Sequence, residues 1–141
     1  MFHYRRLQDA DIPYINALQR RRGFEEIEEG QLPAEWIVYG AFSGEEIIGI
    51  CILFLYRRLP HSDYPGGLIA ELGGCYTVPE YRGKGVMSAL VGTCLEHLPG
   101  DCPEAGAIVS DASSHVISIL MNQYGFEDAV EGERRVWKQF R

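Results

Sequence analysis

Hydrophobic and polar positions change period along the chain, and each change marks a boundary between elements. Phe2 to Leu7 reads as a short first strand. Asp9-Ala10-Asp11 then offers helix caps, and Pro13 suits a first helical turn. Ile12, Ile15 and Leu18 form one apolar stripe at helical spacing, which predicts a helix to about Arg21. Arg20-Arg21-Arg22-Gly23 ends it. The acidic segment with Glu25, Glu26, Glu28 and Glu29 reads as a short second helix closed by Gly30.

Trp36 to Phe42 is rich in β-formers, Ser43-Gly44-Glu45-Glu46 is a turn, and Ile47 to Tyr56 completes a hairpin. The second arm is apolar on both faces, which predicts a central strand. Arg57 to Gly67 reads as a polar loop, and Leu68 to Val78 as another strand interrupted by Gly73-Gly74. Paired glycines inside a strand predict a bulge or a close backbone approach. Pro79-Glu80-Tyr81 ends that strand and Arg82-Gly83-Lys84-Gly85 leads into a long amphipathic helix. Its stripe is Met87, Val91, Leu95 and Leu98, with Leu90 and Cys94 beside it, and Pro99-Gly100 stops it. Ala105 to Ser110 is a strand, Ser113 or Ser114 caps a helix to about Tyr124, Gly125 follows its end, and Arg134 to Phe140 is a last strand. The order β-α-(α)-β-β-β-α-β-α-β predicts a mixed α/β domain.

Composition narrows the function. At 141 residues, 46% of them hydrophobic, the chain fits one domain, residues 1–141, with a buried core. A net charge of −7 argues against a nucleic-acid binder and favours cationic or neutral small partners, while leaving room for one anion held locally. Cys51, Cys75, Cys94 and Cys102 form no CxxC pair and lie at no metal-ligand spacing from a His, so reduced thiols and no metal are expected. The start of the chain turns polar at once, and the longest apolar stretch, Ile47 to Tyr56, is too short to cross a bilayer. A cytoplasmic protein without membrane contact is the expectation.

The informative stretch runs from Glu71 to Leu90: strand, proline, two glycines one residue apart, helix. Gly83 and Gly85 allow a tight turn with unshielded N–H groups. The helix start adds unpaired N–H groups and a partial positive charge. Together they form an anion site suited to phosphate or pyrophosphate, with Arg82 and Lys84 adding full charges. The spacing is neither a Walker A loop nor the dinucleotide fingerprint, since Ser88 stands where a third glycine belongs. Taken as bare spacing, it also fits an ordinary glycine turn into an amphipathic helix.

Thr77-Val78-Pro79-Glu80-Tyr81-Arg82-Gly83-Lys84-Gly85-Val86 resembles the acetyl-CoA-binding segment of the GCN5-related N-acetyltransferase (GNAT) superfamily. Gly125-Phe126 after the penultimate helix and the element order agree with it. The resemblance implies an acyl-CoA N-acyltransferase fold: a mixed central sheet of about six to seven strands with about four helices, whose fourth and fifth strands splay to admit the pantetheine arm. It implies acetyl-CoA as co-substrate, with the arm on backbone groups of Tyr76, Thr77 and Val78. The pyrophosphate would sit on Arg82, Gly83, Lys84, Gly85, Val86, Met87 and Ser88, with Ser114 at the family's frequent Asn position. A homodimer through the last strands is a family habit. Two positions depart from the pattern. Met87 stands where the family has Gly or Ala, so its side chain must point away from the phosphates. Met121 stands where the family's general-acid Tyr is frequent.

Acetylation of an amine needs removal of the ammonium proton, stabilisation of the oxyanion and protonation of the leaving thiolate. Glu71 is the candidate base, in an otherwise apolar run where burial would raise its pKa; the plain alternative is a solvated or Arg-paired carboxylate. Tyr124 is the candidate acid in place of Met121; the alternative is a packed aromatic. The backbone N–H after the bulge could polarise the thioester carbonyl. Asp111, Ser113, Ser114 and His115 are too close in sequence for a triad, and Cys75 reads as a small buried thiol rather than a nucleophile. The acidic run Glu25 to Glu29 lies where the family builds its acceptor wall, and reads as a solvated face or as an attractor for a cationic amine. The expected activity is direct acetyl transfer to a primary amine, of a small molecule or alternatively of a protein N-terminus or lysine. The rivals are a CoA-binding sensor without catalysis and a domain with no CoA affinity.

Overall fold

The computed structural model describes residues 1–57, 68–98, 104–108, 114–125, 127–128 and 135–139. Strand β1 is Phe2–Leu7, and helix α1, Ile12–Arg21, has Pro in its first turn. Strands β2 (Trp36–Ser43), β3 (Glu46–Arg57) and β4 (Leu68–Thr77) lead to helix α2, Val86–Glu96. Strand β5 (Glu104–Ile108), helix α3 (Ser114–Tyr124) and strands β6 (Glu127–Asp128) and β7 (Arg135–Gln139) follow. The strands form one sheet in the order β1-β2-β3-β4-β5-β7-β6. Its pairs are antiparallel except β4 with β5, which run parallel and are joined through α2. This is a mixed α/β sheet. The two-residue β6 has no counterpart in the sequence reading; of the expected loop Arg57 to Gly67, Arg57 ends β3, and the rest, with the stop at Pro99-Gly100, lies outside the described residues.

The acidic segment does not become a second helix. Residues 24–28 are irregular, because polar side chains of α1 take their backbone groups. Asn16 Nδ2 donates to the Ile27 carbonyl at 2.9 Å, and the Ile27 N–H donates to Asn16 Oδ1 at 2.8 Å. Gln19 Nε2 donates to the Glu25 carbonyl at 3.2 Å, and the Phe24 N–H donates to the Gln19 carbonyl at 2.9 Å. Asn16 and Gln19 are buried for this purpose, and each hydrogen bond offsets the desolvation of a buried polar group. Arg20 pairs with Glu26 outside them.

Strand β3 lies in the middle of the antiparallel half, and its two faces meet different helices. A Cβ on Gly49 would point at Val86 and Leu90 of α2, 3.2 and 3.1 Å from their methyl groups. On the opposite face the neighbouring Ile50 is paired with Tyr76, whose ring lies beneath Arg22 at the end of α1. Ile48, Ile50, Leu53, Val86, Leu90 and Val91 are almost completely buried between these layers. Gly49 therefore sets how closely α2 approaches the sheet. Gly49→Val should destabilise the fold by about 1–3 kcal/mol through overpacking. Urea denaturation checks this: an unchanged midpoint would show that α2 is free to move outward.

Candidate functional site

The site begins at an irregularity in β4. The Ile52↔Gly73 pair and the Ile50↔Tyr76 pair enclose one residue on β3 and two on β4, so Gly74 and Cys75 have no partner residue on β3. Pairing with β5 covers Ile69 to Leu72 only, so neither residue has a strand partner among the described residues. Gly74 has φ +61°, and a Cβ there would meet Ile52 Cδ1 at 2.8 Å. The position demands glycine. Its carbonyl turns out of the ladder and accepts from Arg22 Nη1 at 3.0 Å.

Beyond the bulge, backbone directions alternate. The Val78 N–H donates to the Ile48 carbonyl at 2.9 Å, in phase with the Ile50↔Tyr76 pair. The backbone groups of Tyr76 and Val78 therefore face β3, and those of Thr77 face the other edge. Arg82 Nε takes the Thr77 carbonyl at 2.9 Å. The Thr77 hydroxyl is buried without a hydrogen-bond partner among the described residues.

The turn into α2 fits a pyrophosphate. Gly83 and Gly85 have φ +78° and +80°, and a Cβ on either would meet nothing within 4 Å. The open space lies on the backbone itself. The first α2 bond runs from the Ala89 N–H to the Gly85 carbonyl at 3.1 Å, so the N–H groups of the preceding turn have no intrahelical acceptor. The helix dipole adds positive potential there. Val86 and Met87 are buried in the core, which turns the long Met87 side chain away from the cradle. Lys84 is exposed, with Nζ 5.9 Å from the Tyr81 ring centroid. Arg82 is exposed, with its Nε on the Thr77 carbonyl and its guanidinium 5.7 Å from the Tyr76 ring centroid. Ser88 spends its hydroxyl on Gln123 of α3.

The catalytic candidates divide. Glu71 is half-buried on β4, between Phe54 of β3 and Gly106 of β5, and takes part in no ion pair among the described residues. Tyr124 donates its hydroxyl to the Ser88 carbonyl at 3.1 Å, and Gly92 leaves room for that hydroxyl against α2. It thus braces α3 against the first turn of α2. Met121 is exposed, and Ser114 opens α3. Phe126 and the segment 109–113 lie outside the described residues. Cys75 contacts Cys51 at 3.0 Å between sulfurs, and that hydrogen bond and burial raise its thiol well above the ordinary value. It is therefore a poor nucleophile. Glu28 lines a shallow groove with Ile27, Gln31, Leu32, Pro33 and Ala34. Among the described residues no side-chain cluster is arranged to hold a metal, and no helix is long and apolar enough to cross a membrane.

Sequence reasoning missed Arg22. It is half-buried, with Nε and Nη2 donating to Gln19 Oε1 at 2.8 and 2.6 Å and Nη1 to Gly74. The guanidinium stacks on Phe24 and Tyr76, 4.4 and 5.2 Å from the ring centroids, and burial lowers its pKa. The available signal was its spacing: Arg22 continues the stripe of Ile15 and Leu18 by one more turn.

The model of the acetyltransferase (GNAT) family matches residues 4–119. No protein of curated function matches the sequence at a significant level. Among solved structures, Arabidopsis thaliana NAA60 in complex with a bisubstrate analogue superposes with a TM-score of 0.73 at 14% identity, covering 99% of this chain and 98% of that one. A GNAT-family acetyltransferase from Streptococcus pneumoniae gives 0.70 at 15% identity over 99% of both chains. An aminoglycoside acetyltransferase from an uncultured soil metagenomic sample, in complex with sisomicin, gives 0.65 at 12% identity over 92% of this chain and 93% of that one.

The cradle makes a direct prediction. CoA at about 100 times its Kd should stabilise the folded chain by roughly 2.7 kcal/mol, seen as a rise in Tm. Gly83→Glu, which strains a positive-φ position and sets a carboxylate against phosphate, should abolish the rise. An equal rise in the variant would place CoA elsewhere.

Proposed function

The chain belongs to the acetyltransferase (GNAT) family, and on that footing we propose that it moves the acetyl group of acetyl-CoA directly to a primary amine of a small molecule. The observation that carries the reading is the pair of open, positive-φ glycines at the start of α2. The Gly83-to-Ser88 backbone would hold the pyrophosphate, with Lys84 supplying charge at its rim. The Thr77 N–H, which faces away from β3, would pair with the pantetheine arm, and Cys75 would take the place that sequence reasoning gave to Tyr76. Bound acetyl-CoA supplies the activated thioester. One enzyme domain over residues 1–141, acting in the cytoplasm, is part of the same reading.

Glu71 is assigned as the base. It receives the ammonium proton, directly or through water, as the C–N bond forms and the C–S bond breaks. It is half-buried and has no ion-pair partner among the described residues, which is consistent with an available carboxylate. The leaving thiolate takes a proton from Tyr124 or from solvent. Tyr124 would have to release the Ser88 carbonyl to act, so the bracing bond and the acid role compete for one hydroxyl. The chain's negative charge and Glu28 in the groove favour a cationic acceptor.

Thiol release from acetyl-CoA, measured with a panel of polyamines, aminoglycosides, free lysine and peptides with free N-termini, tests the reading. Turnover with small amines supports it. Turnover confined to peptides moves the acceptor to proteins, and CoA binding without turnover on any amine leaves a sensor. With an active amine, Glu71→Gln should lower kcat about 10²-fold while the CoA-induced Tm rise persists. Tyr124→Phe separates acid from brace: a loss of similar size marks the acid, whereas near-normal kcat with a lower Tm marks the brace.

A further inference from the structure

We infer that Arg22 is a positioning residue for acetyl transfer: it holds the Gly74–Cys75 peptide so that the Cys75 N–H is presented to the thioester carbonyl. The inference rests on the acetyl-transfer reading above and names the group that fixes the geometry of that same site.

Gly74 and Cys75 pair with neither β3 nor β5 among the described residues. A bulge of this kind has no ladder bonds to hold its peptide plane at one angle. Arg22 supplies the missing constraint from outside the sheet, through the 3.0 Å bond from Nη1 to the Gly74 carbonyl. The guanidinium is itself fixed, by two bonds to Gln19 Oε1 and by the Phe24 and Tyr76 rings on which it stacks. Gln19 in turn is tied to the Glu25 carbonyl. The end of α1, the segment after it and the bulge therefore form one connected unit.

Two consequences follow for the neighbouring N–H. No peptide bond among the described residues is cis, so the Cys75 N–H points opposite to the Gly74 carbonyl and away from the Arg22 guanidinium that holds it. A charge-assisted hydrogen bond to the carbonyl also polarises the peptide and makes its N–H a better donor. Arg22 thus aims a backbone donor and strengthens it without touching the substrate. A fixed donor at the place where negative charge develops is the efficient arrangement for acyl transfer.

The test uses [1-13C]acetyl-CoA and isotope-edited infrared spectroscopy on the full chain. In the wild type the bound thioester carbonyl band should lie below its frequency in free acetyl-CoA. Arg22→Met keeps the apolar stem and removes the donor, so most of that displacement should vanish. Arg22→Lys keeps a charged donor and should restore part of it. With an active amine, kcat of Arg22→Met should fall about tenfold or more, with KM for acetyl-CoA within about twofold of wild type. If Arg22→Met does not fold, Arg22→Gln, a neutral donor, should give an intermediate band position. A wild-type band position in a folded Arg22→Met protein that still binds acetyl-CoA would overturn the role of Arg22 alone. Absence of acetyl-CoA binding to the wild type would overturn the acetyl-transfer reading and this inference with it.

Discussion

Gly74 sits at φ +61° with Ile52 filling the space a Cβ would need, and β4 cannot remain regular there. The site follows from that constraint. Before the bulge, Ile69 to Leu72 bond to β5 on one side and to β3 on the other. Among the described residues both ladders lapse at the bulge, and beyond it only the β3 side resumes. Backbone donors and acceptors that a closed sheet would consume are left at an internal edge. Unpaired backbone groups are costly unless something partners them. Here Arg22 takes the Gly74 carbonyl, Arg82 takes the Thr77 carbonyl, and the Thr77 N–H faces the edge away from β3, where a ligand's amide could pair with it.

Helix α2 meets that edge because β3 carries a glycine where the helix crosses it. Val86 and Leu90 sit on Gly49, and Met87 is drawn into the core beside them. The first turn of α2 is thus anchored by apolar packing on its inner side, while Gly83 and Gly85 leave its outer approach bare. Tyr124 and Ser88 fasten α3 to the same turn. The helix start thus presents backbone N–H groups with no side chain to move aside, an arrangement that would limit the ordering cost of binding an anion.

Much of this was legible in the sequence because it depends on local chemistry. Period-two and helical patterns located the first strand, α1, the β2–β3 hairpin and α3, and the Gly73-Gly74 pair announced the bulge. The glycine–helix motif announced the open turn into α2, and the family match spans it. What failed to read through was long-range. The acidic segment has helix-forming residues, yet its backbone is claimed by Asn16 and Gln19, two polar residues placed among the buried positions of α1. Arg22 looked like a terminal charge because its partners, Gly74 and Tyr76, lie some fifty residues away. The bond from Arg82 Nε to the Thr77 carbonyl at the strand end was likewise not legible. For Tyr124 the sequence offered a thiolate acid or a packed aromatic; the bond of its hydroxyl to the Ser88 carbonyl, in the space left by Gly92, was not legible.

The central claim is that the first turn of α2 and the free edge of β4 form one CoA site. Amide chemical-shift mapping of the 15N-labelled protein during a CoA titration tests it most directly. The account predicts saturable shifts at Gly83, Gly85, Val86, Met87 and Ser88, and at Cys75 and Thr77, with Tyr76 and Val78 less affected because their amides face β3. Saturating CoA that leaves both sets unmoved, or that perturbs residues remote from them, would contradict it.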